Sequence, residues 1–498
     1  MKKQENKFVK TIGRIFDSKY STIWIAIIIF LCWLPFIIML YPGTLANDTW
    51  GQLNQVLNLH DGAWTIGAHH PVFDTAFMSV IILPLEKIFN NWHMAFFCYV
   101  LIQAVCTSLV FAYSITYFKK KFQQKNRTSL IFMLIYCFFP VFVMSVQSIS
   151  KDALFAWVYV LFIIQFIEIL RTKGVCLKSK RFLIALLLVC VFCILTKKAG
   201  AYVLLGSFVF TFIFQKGHRK YLLIPIITIL GLNFAILPAV RYTFNIEPSG
   251  TQEMLSLPFQ QTARFVKEHG SEVTKEEQAT LEKVLDYENL PTLYDPTDAD
   301  PVKGYEPRGE KEDYKEYLKV WVSQGFRHPE TYFAATVDQL SGWFSFSLYQ
   351  PAINMDHHSQ QNDYYIPESA TKRPKFSETT ASILNNIYQF IYHIPVIGII
   401  FTFAFFATII PYGLVIAFFK YRKINNCKYL LVVIPLLLSL LLGCYLAPVS
   451  TNIEGARYLF PIIYSSPALI MLAISLHGES KARKARNSGD VSSPRHRG

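Results

Sequence analysis

Tyr41-Pro-Gly-Thr-Leu-Ala-Asn-Asp48-Thr-Trp-Gly-Gln52 follows directly on an almost wholly apolar run, residues 21–41, and the loop it opens closes on His69-His70-Pro71. A carboxylate among aromatics at the mouth of an apolar helix is costly to desolvate, and such residues are functional suspects by default. The bland reading is a solvated loop in which Asn47 or Asp48 caps a helix through Leu53, Val56 and Leu57. The choice between the two depends on where the rest of the chain puts its polar groups.

Working outward, only 16% of the 498 residues are charged and 52% are hydrophobic, whereas a soluble domain carries nearer a quarter charged. Apolar runs of membrane-spanning length alternate with short basic clusters. The net charge of +14 therefore reflects Lys and Arg in loops beside the spans, which argues against a nucleic-acid partner. None of the nine cysteines falls between residues 239 and 391, so no disulfide framework is implied in that long polar block. Cys190 and Cys193 are one helical turn apart within a span and suit packing.

The basic residues 1–20 and the apolar run 21–41 read as an uncleaved signal anchor with a cytoplasmic N-terminus. The loop 42–92 is then extracytoplasmic. Residues 71–90, interrupted by Pro84 and carrying Asp74, Glu86 and Lys87, are best placed as an interfacial helix on the outer surface, because a full span would invert the charge rule at Lys119–Lys121. Spans over 93–117, 128–147, 153–170, 182–196, 201–215, 221–238, 396–419, 429–446 and 458–476 follow. The pair 182–196 and 201–215 is short enough to be tilted or partly re-entrant. The expectation is an α-helical polytopic membrane protein with about ten transmembrane helices. Its modules are an N-terminal one (21–238), a C-terminal one (392–476) and a basic cytoplasmic tail (477–498) expected to be disordered. Between the membrane modules, residues 239–391 form a small, mainly helical extracytoplasmic domain. Its expected helices start near Leu257, after the capping box Thr274-Lys-Glu-Glu277, at 311, and at 330 behind Pro329.

This topology, built from loop charges alone, gathers Asp48, His69-His70, Lys151-Asp152 and Glu454 with Arg457 on one side, and Lys197-Lys198 joins them if the short pair spans. Asp48 suits a general base, since a carboxylate near a low-dielectric boundary has its pKa raised. The histidines either orient that Asp, bind a ligand, or cap the helix at Pro71. Lys151-Asp152 is either a self-neutralising pair at a helix start or an anion holder. Arg457 either snorkels or pairs with Glu454, or it binds phosphate through its planar fork. Asp356-His357-His358 and the loop Asp295–Asp300 carry metal-type side chains, but adjacent histidines face one ion poorly, and a plain turn suits the loop better.

At these residues the chain resembles the GT-C class of polytopic glycosyltransferases, which keep a catalytic Asp in the first outer loop and often a His-Pro motif opening a juxtamembrane helix. More narrowly, Pro42-Gly43, Asp48, Gln52, His70-Pro71, Lys151-Asp152, Leu257-Pro-Phe-Gln-Gln-Thr-Ala-Arg264, Asp300-Pro-Val-Lys303 and Arg457-Tyr458 resemble an uncharacterised bacterial membrane family. The resemblance implies a GT-C-like fold and transfer of a sugar from a polyprenyl-phosphate donor to a cell-envelope glycan, lipid or protein acceptor. Asp48 would be the base of an inverting displacement. Arg457, with Lys151 or Lys198, would steady the leaving phosphate, and His69, His70, Asp152 and Glu454 would line the substrate site. Arg264, Trp343 and Tyr349 would touch glycan. No cofactor is required, although a divalent cation remains compatible, since the first loop lacks the paired acids of some relatives. The implied setting is a bacterial plasma membrane. A transporter or flippase would favour internal repeats with polar groups near the midplane, and neither is visible. A polysaccharide polymerase is chemically close to a transferase, and a non-catalytic scaffold predicts that Asp48 is replaceable.

Overall fold

The computed structural model describes residues 13–58, 67–215, 217–304, 308–346, 366–423, 427–450 and 453–487. Residues 1–12, Tyr349, Asp356-His357-His358 and the tail beyond 487 lie outside them. Helix α1 (Ser21–Met39) leads through strand β1 (Thr44–Leu45) into α2 (Asn47–Asn58), and α3 (Val72–Phe89) is followed by α4 (Trp92–Lys121). After α5 (Asn126–Phe138) come α6 (Pro140–Ser145), β2 (Ser148–Ile149), α7 (Lys151–Arg171), α8 (Lys180–Thr196) and α9 (Lys198–Phe214). The composite helix α10 (Arg219–Thr243) precedes a polar unit with α11 (Ser256–His269), α12 (Lys275–Glu282), α13 (Lys311–Arg327) and α14 (Pro329–Phe344). The chain finishes with α15 (Lys375–Tyr392), α16 (Phe405–Tyr421), α17 (Lys428–Tyr445) and α18 (Phe460–Asn487).

Helices α1, α4, α7, α10, α17 and the segment Gly455–Arg483 around α18 are long and apolar enough to cross a bilayer, while α5, α9 and α16 are apolar but shorter. Helix α10 shows the membrane signature most directly. Ile227, Phe234, Ile236 and Val240 are exposed on a helix with almost no polar surface, and only lipid makes such exposure inexpensive. The protein is an α-helical membrane protein. Two helices are buried almost all round: α7 and α18 pack on each other at the centre, with α4 and α8 against α7 and α16 against α18. Hydroxyls tie this centre internally, Tyr159 donating to the Pro435 carbonyl at 2.9 Å and Ser145 to the Tyr464 hydroxyl at 3.0 Å.

The expected single span over 128–147 is broken. Pro140 lacks the amide that would continue α5, Phe139 is extended, and the chain restarts as the short α6. The short pair 182–196 and 201–215 consists of two helices of 17 residues that meet at one extended residue, Lys197. Helix α3 is amphipathic in the inverse sense, with Asp74, Thr75 and Ser79 buried against the protein while Val80 and Ile88 are exposed. A helix beside lipid is built in that way.

The polar unit has its own core: Phe259, Ala263 and Val266 of α11, Leu281 of α12, Val284, Leu285, Leu290, and Tyr314 and Tyr317 of α13. Its helices match the expected starts. Thr274 and Glu277 close a reciprocal capping box on α12, and Pro329 sits in the first turn of α14. Trp343 at the end of α14 is fully buried, stacked on Phe403 at 5.2 Å, so it anchors this unit to the membrane helices and is no glycan-contact residue. Beside it, Gly342 approaches the 447–450 loop so closely that a Cβ would lie 1.9 Å from the Ser450 carbonyl oxygen.

Candidate functional site

Two residues of parallel strand position the site. Thr44 pairs with Ser148 and Leu45 with Ile149, so the loops entering α2 and α7 run side by side in register. Three residues beyond Leu45 is Asp48, and two beyond Ile149 is Lys151. The pairing therefore places these side chains together across 103 residues of sequence. Several amides and hydroxyls fix the frame. Gln147 donates to Thr44 Oγ1 at 2.6 Å, Gln103 donates to the carbonyls of Val146 (2.7 Å) and Ser148 (2.8 Å), and Arg373 donates to Thr44 Oγ1 at 3.0 Å. Gly43 is required here: its φ of +123° disfavours an L side chain, and a Cβ would lie 2.7 Å from Val100 and 3.0 Å from the Gln147 carbonyl oxygen.

Asp48 Oδ2 accepts from Lys151 Nζ at 2.6 Å and meets Arg457 Nη1 at 2.7 Å, with His70 Nδ1 at 3.9 Å. Lys151 also donates to His70 Nδ1 at 2.9 Å. Asp152, fully buried, accepts from Lys197 Nζ at 2.5 Å, and Arg457 Nε lies 4.0 Å from its other oxygen. Lys151 and Asp152 open α7 and Arg457 stands just before α18, so the two central helices present their charged ends at the same place. Lys151 and Asp152 do not neutralise each other; each pairs across the fold.

Burial would raise the Asp48 carboxyl, but Lys151, then Arg457, outweigh it and hold it well below the usual carboxylate range. This corrects the expectation of a carboxyl raised toward neutrality. Burial, then the Lys151 charge, pushes His70 down to about 3, so its ring is neutral. With Nδ1 accepting from an ammonium, the ring proton sits on Nε2. The histidines do not cap the following helix, whose N-cap is Pro71 with no side-chain bond. His70 orients Lys151, and His69 packs edge-on against His70 while reaching toward Glu253 at 3.7 Å.

In the sequence Lys197, Gln52, Asp74 and Lys303 stand out only within longer motifs, and Glu253 carries no signal of its own. Lys197, rather than the named Lys198, neutralises Asp152; Lys198 is exposed and nearby, in the fields of Lys151 and Glu253. Gln52 donates to Asp74 Oδ2 at 2.7 Å, and burial pushes the Asp74 carboxyl up to about 7. Glu253 receives Lys303 at 3.0 Å, and Lys303 also binds Asp300 at 2.9 Å, which joins the polar unit to the loop of His69. The acidic loop is a plain turn: Asp295 Oδ1 accepts from the Thr297 amide and Asp298 Oδ1 from the Asp300 amide, both at 2.8 Å. Arg264 is held by Asp338 (2.5 Å) through Nη1 and by Glu268 (2.8 Å) through Nε, so two of its donors serve the fold of the polar unit. The backbone of Glu454 lies in the 3₁₀ turn before α18, and its side chain lies outside the described residues.

Among the described residues, three cations (Lys151, Lys197 and Arg457) thus face the carboxylates of Asp48 and Asp152. Such a donor-rich, partly desolvated cluster suits an anion better than a metal cation.

Fold and site together define a polytopic α-helical membrane protein with a buried ionic centre at the shared end of its central helices. The chain belongs to the family of unknown function DUF6020, whose profile matches residues 59–489. That span includes His69, His70, Lys151, Asp152 and Arg457 and begins just after Asp48. No curated protein and no solved structure matches the chain.

Proposed function

We propose that this protein is a membrane glycosyltransferase of GT-C type that moves a sugar from a polyprenyl-phosphate donor to a cell-envelope glycan, lipid or protein acceptor at the outer face of a bacterial plasma membrane. One observation carries the reading: a carboxylate at the mouth of the bundle, saturated by a lysine and an arginine that are both suited to phosphate. In this reading α5 with α6, α8, α9 and α16 complete ten spans with both termini inside, and α3 lies in the outer interface.

The resting geometry gives Asp48 a latent role. The phosphodiester of the donor, entering the cluster, draws Lys151 and Arg457 onto its free oxygens, so Asp48 loses the two charges that hold its pKa down and becomes a competent base. It then takes the proton of the acceptor hydroxyl as that oxygen attacks the anomeric carbon. The bond to the lipid phosphate breaks, and the phosphate leaves with its charge held by Arg457 and Lys151. His70 keeps Lys151 aimed, and Lys197 keeps Asp152 from capturing Arg457. One displacement inverts the anomeric centre.

The test is the surface glycan composition of cells whose only copy carries Asp48→Asn at normal abundance in the membrane. Loss of a sugar decoration that also disappears on deletion supports the reading. A deletion phenotype that Asp48→Asn fails to reproduce removes Asp48 from the mechanism. No change in either strain refutes the transferase.

A further inference from the structure

A second cluster, in the polar helical unit and independent of the transferase reading, has the form of a metal site. His269 ends α11, Glu272 follows in the 3₁₀ turn Gly270–Glu272, and His328 stands at the corner between α13 and α14. Glu272 faces both rings, with Oε1 at 3.5 Å from His269 Nδ1 and Oε2 at 3.0 Å from His328 Nε2. One ligand atom from each of the three residues lies within 4.8 Å of the others.

The second nitrogen of each ring is also engaged. His328 Nδ1 is 2.9 Å from Glu330 Oε1, and His269 Nε2 is 3.0 Å from Thr331 Oγ1, which itself donates to Glu268 at 3.2 Å. Metal-bound histidines are characteristically held in this way: a carboxylate or hydroxyl on the outer nitrogen fixes the tautomer and directs the lone pair of the inner one. Arg327 secures the turn by donating to the Glu272 carbonyl at 3.0 Å. An ordinary surface ion pair needs no such outer partner on both rings.

We propose that His269, Glu272 and His328 bind a divalent transition metal of the zinc type, with two imidazole nitrogens, one carboxylate and a fourth position open to water. The rings lie nearly parallel, 3.7 Å apart between centroids and 15° between planes. The bound ion ties the end of α11 to the α13–α14 corner and stiffens this unit against the membrane helices. The competing account is a protonated His328 bridging Glu272 and Glu330.

The experiment uses the full chain in detergent micelles, freed of affinity tag and stripped with chelator. Co²⁺ is titrated while visible absorption is recorded, and thermal unfolding is followed with and without Zn²⁺. The expected result is about one equivalent of Co²⁺ giving the intense d–d bands of a four- or five-coordinate site, and a Zn²⁺-dependent rise in unfolding temperature. Both are lost in Glu272→Gln and in His328→Asn, the latter keeping a good N-cap residue. Glu330→Gln weakens binding by about tenfold or more through the outer hydrogen bond. Weak binding at several sites with the spectrum of hexa-aqua Co²⁺, or a signal indifferent to these substitutions, overturns the proposal.

Discussion

Asp152→Asn is the sharpest probe of the ionic centre, because it removes one charge without changing shape. The Asp152 side chain is fully buried, and its main partner Lys197 is only 12% exposed. After the substitution Lys197 keeps a neutral amide oxygen and, among the described residues, the faces of Phe155 and Tyr458, at 5.8 and 5.6 Å, but its countercharge is gone. Breaking a buried pair from one side costs about 3–5 kcal/mol, since the remaining charge is stranded. The ring contacts exist in the wild type as well and offset nothing, while the amide oxygen still accepts from Lys197, so a loss near the lower end, about 3 kcal/mol, is expected. The unfolding midpoint in mixed micelles titrated with denaturing detergent measures it, which avoids irreversible thermal unfolding. The double variant Asp152→Asn with Lys197→Met removes the stranded charge, and it should recover most of the loss with a coupling of at least about 1.5 kcal/mol. A single variant within about 0.5 kcal/mol of wild type would refute the reasoning, because such a loss belongs to a solvated surface residue. A double variant showing the plain sum of its parts would refute it equally.

Three further outcomes are expected. If Asp48 is the base of the proposed transferase, the acid limb of kcat should lie about 1–3 pH units above that of kcat/KM, because two cations hold Asp48 down in the unliganded protein and a bound phosphate would draw them away; coincident limbs would exclude a latent base. Asp74, with its folded pKa raised to about 7, favours the fold while protonated. Stability relative to Asp74→Asn should therefore be fully present below about pH 4 and fall as pH rises to about 7, by a total on the order of 4 kcal/mol, and parallel pH curves for the two proteins would contradict its burial. Gly342→Ala places a methyl against the Ser450 carbonyl, and despite about 1 kcal/mol of better helix propensity it should lower stability by about 1–3 kcal/mol; a neutral result would mean that α14 and the 447–450 loop part easily.

Much of the architecture was legible because membrane helices announce themselves locally. Apolar length, flanking Lys and Arg, the Thr274–Glu277 box and Pro329 are all short-range signals, and most helices begin near where these signals place them, although the span expected over 396–419 opens as the 3₁₀ turn Gly398–Phe401 and becomes a continuous helix only at Phe405. The departures are local as well: Pro140 breaks a stretch that hydropathy averages into one span. The site was legible only as a list of members. Asp48, His70, Lys151, Asp152 and Arg457 stand together, yet their partnerships were not readable, because each bond joins residues tens to hundreds of positions apart. Sequence adjacency suggested Lys151 with Asp152, whereas successive residues at a helix start point in different directions and find different partners.

The same distinction explains why the protonation of Asp48 was misjudged. Proximity to a low-dielectric boundary is a local property and argues for a raised pKa. The opposing charges arrive from α7 and from the turn before α18, and two ladder pairs between Thr44–Leu45 and Ser148–Ile149 fix the first of these contacts. A carboxylate held so low is a poor base as it stands. The protein therefore has either a structural ionic lock or a base that only substrate can unlock. Lys151 separates the two. In a lock, Lys151→Met leaves Asp48 to Arg457 alone and lowers stability whatever else is present. In an unlockable base, the same variant also brings the acid limb of kcat/KM up toward that of kcat, because one of the two charges holding Asp48 down in the free enzyme is gone.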